Sequence, residues 1–147
     1  MILSDFKAFP RTGRIMAVDW GAARVGIAVT DESREFFFTR PAIFAANVDV
    51  APVIAHAASV ERVVGIIVGL PLHADGSPSD TTTRVREFAA RLAAKTDLPI
   101  CFVEENLTSA SAQDEIGARA ARQDKAKLDS VAARIILENA VSIINRI

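Results

Sequence analysis

Five apolar runs too short for helices punctuate this chain, and between them apolar residues recur every three or four positions. Ile15-Met16-Ala17-Val18 stops at Asp19-Trp20-Gly21 and reads as a buried strand followed by a turn. Val25 to Asp31 is a second strand, joined to the first by a short Gly-containing connection that favours an antiparallel hairpin. Phe36 to Phe44, rich in aromatic residues, is a third. Val50, Val53, Ile54 and Ala57 then step at helical spacing. Val63 to Val68, bounded by Gly69 and Pro71, has the continuous apolar character of a strand covered on both faces. A second helix is expected from a cap at Ser79 or Asp80, with Val85, Phe88, Ala89, Leu92 and Ala93 on its stripe and Pro99 as its stop. Ile100 to Val103 is the fifth strand. Thr108 or Ser109 can cap a helix reaching about Ala120, and a last helix is expected from Leu128 to about Ile144. Its stripe of Leu128, Val131 and Ile135 is interrupted at Glu138, so the pattern predicts less regular packing beyond that point.

Hairpins first and alternating helices and strands afterwards imply α/β architecture. The expected sheet is mixed, its first three strands antiparallel and the later ones parallel, with helices on both faces. The length of 147 residues suits one core, and Pro10-Arg11-Thr12-Gly13 separates a lead-in, residues 1–13, from a single domain over 14–147. Half the residues are apolar and 24% are charged, which excludes disorder and collagen-like repeats. A formal charge of −1 supplies no global attraction for polyanions, so any nucleic-acid contact must come from a local patch. Cys101, the single cysteine, lies in an apolar run and suits a buried thiol in a reducing compartment. The N-terminal residues lack the apolar core of a signal peptide, and no stretch approaches the roughly 18 residues of a membrane span. A cytoplasmic location and no membrane partner are expected.

Ligand sites of such sheets gather at the carboxyl ends of the strands, which makes Asp19, the loop after Gly69 and the pair Glu104-Glu105 joint candidates. A carboxylate at the end of a central strand wants a cation or hydrogen bonds; Asp19 can equally be a turn residue that accepts backbone N–H bonds. Period-two alternation sends Glu104 and Glu105 to opposite faces, so one of them at most faces the Asp19 side. Asp129, in the opening turn of the last expected helix, is either a dipole-favoured capping acid or a third carboxylate brought close by the small Ala132 and Ala133. Three acids in one pocket would require a hard cation, Mg²⁺ or Mn²⁺. The segment Gly69 to Ser77 is a loop able to hold a substrate backbone or simply to connect strand and helix. His73 within it can carry a proton, touch a phosphate or be exposed. With His73 and His56 alone, a histidine-rich metal site is excluded. Arg119, Arg122, Lys125 and Lys127 form a basic cluster beside Asp129 that can hold phosphates or be ordinary surface, and no aromatic residue interleaves with it to form a stacking platform.

Four segments together resemble the YqgF or RuvX family, pre-16S ribosomal RNA nucleases related to Holliday-junction resolvases. Asp19-Trp20-Gly21-Ala22-Ala23-Arg24-Val25-Gly26 is similar to the family's Asp-x-Gly-x-Lys-Arg-x-Gly hairpin. Val68 to Ser77 is the second segment, and Glu104-Glu105-Asn106-Leu107-Thr108-Ser109 resembles its Asp-Glu-Arg-Leu-Thr-Ser motif. Lys127-Leu128-Asp129-Ser130-Val131-Ala132-Ala133 resembles the closing Lys-x-x-Asp-x-x-Ala-Ala helix. The likeness spans residues 14 to about 144. It implies an RNase H-like fold and a nuclease site in which Asp19, Glu105 and Asp129 bind Mg²⁺ or Mn²⁺ and act on a phosphodiester. Arg24, His73, Ser77, Thr108, Arg122, Lys125 and Lys127 are the candidates for holding the substrate.

The implied substrate is structured RNA, the 5′ end of pre-16S rRNA, or else branched DNA as for a resolvase, with the protein a monomer or homodimer. Ala23 stands for the family's Lys, Glu104 for its Asp and Asn106 for its Arg, which removes two cations from near the scissile phosphate. That departure motivates a second expectation, a nucleic-acid-binding module with weak or lost activity. An actin-like phosphotransferase is disfavoured because the chain has no room for a second subdomain.

Overall fold

The computed structural model describes residues 1–105 and 125–147, the side chains of residues 125–129 excepted. Five strands form one mixed sheet in the order β3-β2-β1-β4-β5. They are β1 (Ile15–Asp19), β2 (Arg24–Thr30), β3 (Phe37–Phe44), β4 (Gly65–Pro71) and β5 (Ile100–Glu105). β1 pairs antiparallel with β2, which pairs antiparallel with β3. On its other side β1 pairs parallel with β4, and β4 with β5. The expected mixed sheet is therefore present, with β1 at its centre. The register of the β2–β3 ladder shifts between Val25 and Ile27. On the β3 side the shift falls at Pro41 and Ala42, and a proline, which has no N–H to give a ladder, is accommodated at such a bulge on an edge strand.

Helices cover both faces. α1 (Ala51–Glu61) and α2 (Asp80–Ala93) lie on one, α3 (Lys125–Asn145) on the other. α2 forms because its apolar spacing is helical and its first turn is closed by a reciprocal cap: the Ser79 hydroxyl accepts from the Thr82 N–H and the Thr82 hydroxyl from the Ser79 N–H. Val85, Phe88 and Leu92 are fully buried in one core with the even positions of β1 and β4, each stabilising the fold by about 2 kcal/mol, and Ala89 is fully buried as well. α1 buries Ala51, Ile54 and Ala58; the expected stripe member Val53 is instead 42% exposed.

The last helix departs most from its sequence pattern. Lys125-Ala126-Lys127 is already helical, since all three residues are good helix formers, so Asp129 lies in the helix interior and not in a capping turn. The buried face is Ala133, Ile136, Leu137, Ala140 and Ile144, whereas Val131 and Ile135 are half-buried. Glu138 does not interrupt it: that residue is exposed, an i,i+4 ion-pair partner of Arg134 at 3.5 Å, and the helix runs on to Asn145. The helix expected over 108–120 lies outside the described residues. Among the described residues no helix is long and apolar enough to cross a membrane.

Residues 1–13 pack on the sheet. Phe6 and Phe9 join the α3-side core. Leu3 N–H donates to the Ile100 carbonyl at 2.7 Å and Ile100 N–H to that of Met1 at 2.8 Å, lining the start of β5 with a short parallel bridge. Arg34, buried in the β2–β3 turn, donates to the carbonyls of Gly13 and Pro10 at 2.7 and 2.8 Å and ties that segment down.

Candidate functional site

The two faces of β1 can be followed residue by residue. Met16 and Val18 enter the α1–α2 core, Ile15 and Ala17 the α3 core. Alternation then places Trp20 on the first side, where its ring stacks on Phe88 at 6.3 Å with the Arg84 guanidinium 5.2 Å from its centroid. Asp19, between Val18 and Trp20, falls on the α3 face at the carboxyl end of the central strand. Its register partner is Gly26 of β2, and it is half-buried.

β5 sorts its acids in the same way. Cys101 and Val103 are in the α3 core, so Glu105 follows them onto that face, and Glu104 turns the other way. Glu104 is exposed and lines a cavity of about 390 Å³ with Arg86 and Phe102 on the opposite side of the sheet. The expectation that at most one of the pair faces the Asp19 side is met, and the one is Glu105.

Gly69 of β4 explains how Glu105 is housed. It lies on the α3 face between β1 and β5, one residue beyond the Val18–Val68 pair and opposite Val103. A Cβ built there would stand 2.2 Å from Glu105 Oε1 and 2.5 Å from Ile136 Cδ1. The Glu105 carboxylate therefore rests on the bare backbone of β4, beneath α3 and on the β1 side of its own strand. Burial in this position pushes its pKa above the ordinary carboxylate value, because the charged form has lost water. Sequence reading treats Gly69 as a strand boundary. The missing side chain is needed for a neighbour two strand positions further along β5, which only the register reveals.

The loop after β4 is compact. Leu72 N–H donates to the Glu105 carbonyl at 3.2 Å, and Leu72 and Pro78 form an antiparallel bridge. His73 N–H donates to the Ser77 carbonyl at 2.9 Å, and Gly76 N–H to the His73 carbonyl at 2.8 Å, with Gly76 at φ +83° where the turn reverses. Asp75 accepts both the hydroxyl and the N–H of Ser77, which lower its pKa, the hydroxyl most and a nearby His73 less. Thr82, buried at the start of α2, donates its hydroxyl to the Pro71 carbonyl and fixes the root of the loop. His73 is exposed, and the Ser77 hydroxyl is engaged within the loop by Asp75.

Arg24 opens β2 on the α3 face, half-buried, with Phe44 of β3 as its register partner. Ala23 is exposed and its carbonyl accepts from Ala45 N–H at 2.9 Å. Lys125, Lys127 and Asp129 belong to the backbone of the first turns of α3, and Ser130, next to Asp129, is buried and donates its hydroxyl to the Arg40 carbonyl of β3. Thr108, Asn106 and Arg122 lie outside the described residues. Among the described residues no three His, Cys, Asp or Glu side chains gather in one group. Asp19 and Glu105 share a face on either side of β4, and the third acid of the expected set is Asp129, whose side chain is not among those described.

Comparison with known proteins agrees with this architecture. The model of the RuvX family, described as Holliday junction resolvase, matches residues 13–142. A protein of Maridesulfovibrio salexigens named "Putative pre-16S rRNA nuclease" is 38% identical over 135 residues, covering 85% of this chain and 95% of the relative. One of the same name from Clavibacter michiganensis is 37% identical, covering 89% of this chain and 84% of the relative. Among solved structures, T. thermophilus RuvC in complex with Holliday junction substrate superposes with a TM-score of 0.58 at 8% identity, covering 88% of this chain and 96% of RuvC, which shows an RNase H-like fold. With a family model spanning most of its length and relatives this similar, the chain belongs to the RuvX family.

Proposed function

We propose that this chain is a divalent-cation-dependent nuclease that hydrolyses phosphodiester bonds in precursor 16S ribosomal RNA, acting in the cytoplasm. The observation that carries the reading is the Glu105 carboxylate laid over Gly69, on the same face and at the same sheet end as Asp19. Burying an acid there is costly, and among the described residues no hydrogen bond or ion pair engages that carboxylate. Family membership, and relatives named for pre-16S rRNA, support the choice of reaction and substrate.

The donor set fits Mg²⁺ or Mn²⁺: carboxylate oxygens, no thiolate, and a site whose electrostatics call for positive charge. Asp19 and Glu105 would hold the ion, with Asp129 as the third ligand. When bound, such an ion supplies charge stabilisation for phosphate oxygens and an acidified water. The protein's own part is positional. β1 and β5 are locked to β4 by parallel ladders, so the two carboxylates are held by strands and not by loops. Gly69 keeps Glu105 close to the sheet, and α3 covers it from water through Ile136. Arg24, on the same face as Asp19, and the basic residues Arg122, Lys125 and Lys127 would neutralise the substrate backbone, which the acids alone repel.

The test is cleavage of a labelled precursor RNA in Mn²⁺ by the protein and by its Asp19→Asn variant, with a four-way DNA junction as a parallel substrate. Wild type is expected to cut the RNA in preference to the junction, and the variant to lose activity by about 100-fold or more. Equal cleavage by both proteins would discard the site. RNA binding with steep salt dependence and no cleavage by either would establish a binding module instead.

A further inference from the structure

At the site end of the sheet the α3 face carries a diagonal row with one position from each strand: Phe44 on β3 paired with Arg24 on β2, then Asp19 on β1, Gly69 on β4 and Glu105 on β5. The β2 partner of Asp19 itself is Gly26, and Glu105 lies two residues past the Val103 that pairs with Gly69. Phe44 ends this row on the edge strand. Alternation explains its orientation, because Ile43 packs into the α1–α2 core and its neighbour must face the other way. The residue is 72% exposed, yet its backbone is fixed on both sides, by the ladder to Arg24 and by the Ala45 N–H bond to Ala23. Single exposed apolar residues are ordinary on a protein surface. Phe44 differs in having Arg24 as its register partner across the ladder and in sharing a face and a sheet end with the two acids. With strands spaced about 4.8 Å apart, it stands two spacings, about 10 Å, from the Asp19 strand. That is a reach of a few nucleotides.

We propose that Phe44 is a stacking platform for an unpaired nucleobase of the substrate, with Arg24 taking the adjoining phosphate, so that a single strand runs along the row toward Asp19 and Glu105. A phenyl ring offers a π-face and no hydrogen-bond groups, which suits a base in any sequence but only one free of its partner strand. The basic cluster of Arg119, Arg122, Lys125 and Lys127 contains no aromatic residue; the sheet supplies one from a strand about eighty positions earlier, through cross-strand pairing that spacing along the chain cannot show. The inference rests on the nuclease reading for its direction along the row, and binding can be measured without cleavage.

The experiment is fluorescence anisotropy in EDTA with a labelled 12-nucleotide single-stranded RNA and the blunt duplex of the same sequence, for wild type, Phe44→Ala, Phe44→Ile and Phe44→Trp. Loss of the ring in the Ala and Ile variants is expected to weaken single-strand binding about tenfold, with duplex binding unchanged and the Trp variant at least as tight as wild type. Single-strand affinity indifferent to the ring, an equal loss on single strand and duplex, or no single-strand binding by wild type would overturn the proposal. Cleavage in Mn²⁺ separates the two readings. Ring-dependent binding with no cleavage by wild type keeps the platform and removes the nuclease; Asp19-dependent cleavage with ring-indifferent binding removes the platform alone.

Discussion

Glu105 is the residue at which folding and function pull apart. Its pKa is raised because burial removes water from the charged form. The folded state therefore holds its proton more tightly than the unfolded chain does, and this group lowers stability as pH rises from the ordinary carboxylate value through the raised one. Above that window the penalty is complete. In chelator at neutral pH, Glu105→Gln is expected to raise Tm, by about 2 to 4 °C for each kcal/mol relieved. Added Mn²⁺ should raise the wild-type Tm, as about 2.7 kcal/mol at a hundredfold excess over Kd, and leave the variant's nearly unmoved. A calorimetric scan in which both proteins respond alike to Mn²⁺ would show that Glu105 is not a ligand. Asp19 and the pair Glu104-Glu105 are legible in the sequence because each closes an apolar run, and strand alternation sends the two glutamates to opposite faces; which of them faces Asp19 is implied by the family resemblance and set by the sheet. The need for Gly69 is not legible, since it comes from a neighbouring strand's side chain.

Among the elements, the end of α1 is tied to the sheet through an acid. Glu61, the last residue of α1, accepts from Arg40 of β3 at 2.6 Å and from Arg14, just before β1, at 2.8 Å. The Arg40 hydrogen bond is the main reason its pKa is lowered. A lowered folded value stabilises the fold at pH above the unfolded carboxylate value, and that contribution disappears as pH falls through the folded value. Glu61→Gln is expected to cost about 1 to 2 kcal/mol at pH 7, between an exposed and a buried pair, with the gap to wild type closing in acid. Urea denaturation at pH 7 and below pH 4 measures both. The strands were readable to within a few residues because short apolar runs bounded by Gly, Pro and Asp have few alternatives. The phase of α3 was not, because Ala-rich faces give little contrast: Ala133 and Ala140 are fully buried, while the bulkier Val131 and Ile135 are only half so.

Across the whole molecule, hairpin-first order and later alternation announced a mixed sheet, but the strand order β3-β2-β1-β4-β5 is a property of the assembled layers. Cys101 sits inside them, 2% exposed, with burial pushing its thiol pKa up to about 11. It should therefore be inert to a disulfide reagent at pH 8 while the protein is folded, reacting at a rate limited by opening of the sheet and at least about a thousandfold below that in denaturant. Rapid modification without loss of circular dichroism would mean that β5 opens locally.

The bridge between Met1–Leu3 and Ile100 bears on how the chain assembles. Its partners are far apart in sequence, with Met1 and Leu98 separated by 97 positions. At a ribosomal rate of about 5–20 residues per second, the segment ahead of β1 waits on the order of ten seconds for β5 to be synthesised. The hairpin of β1 and β2 needs no such delay. Phe6 and Phe9 meanwhile lack the β5 and α3 part of their core, so a nascent chain stalled before residue 100 presents two incompletely covered phenylalanines to any chaperone that samples it.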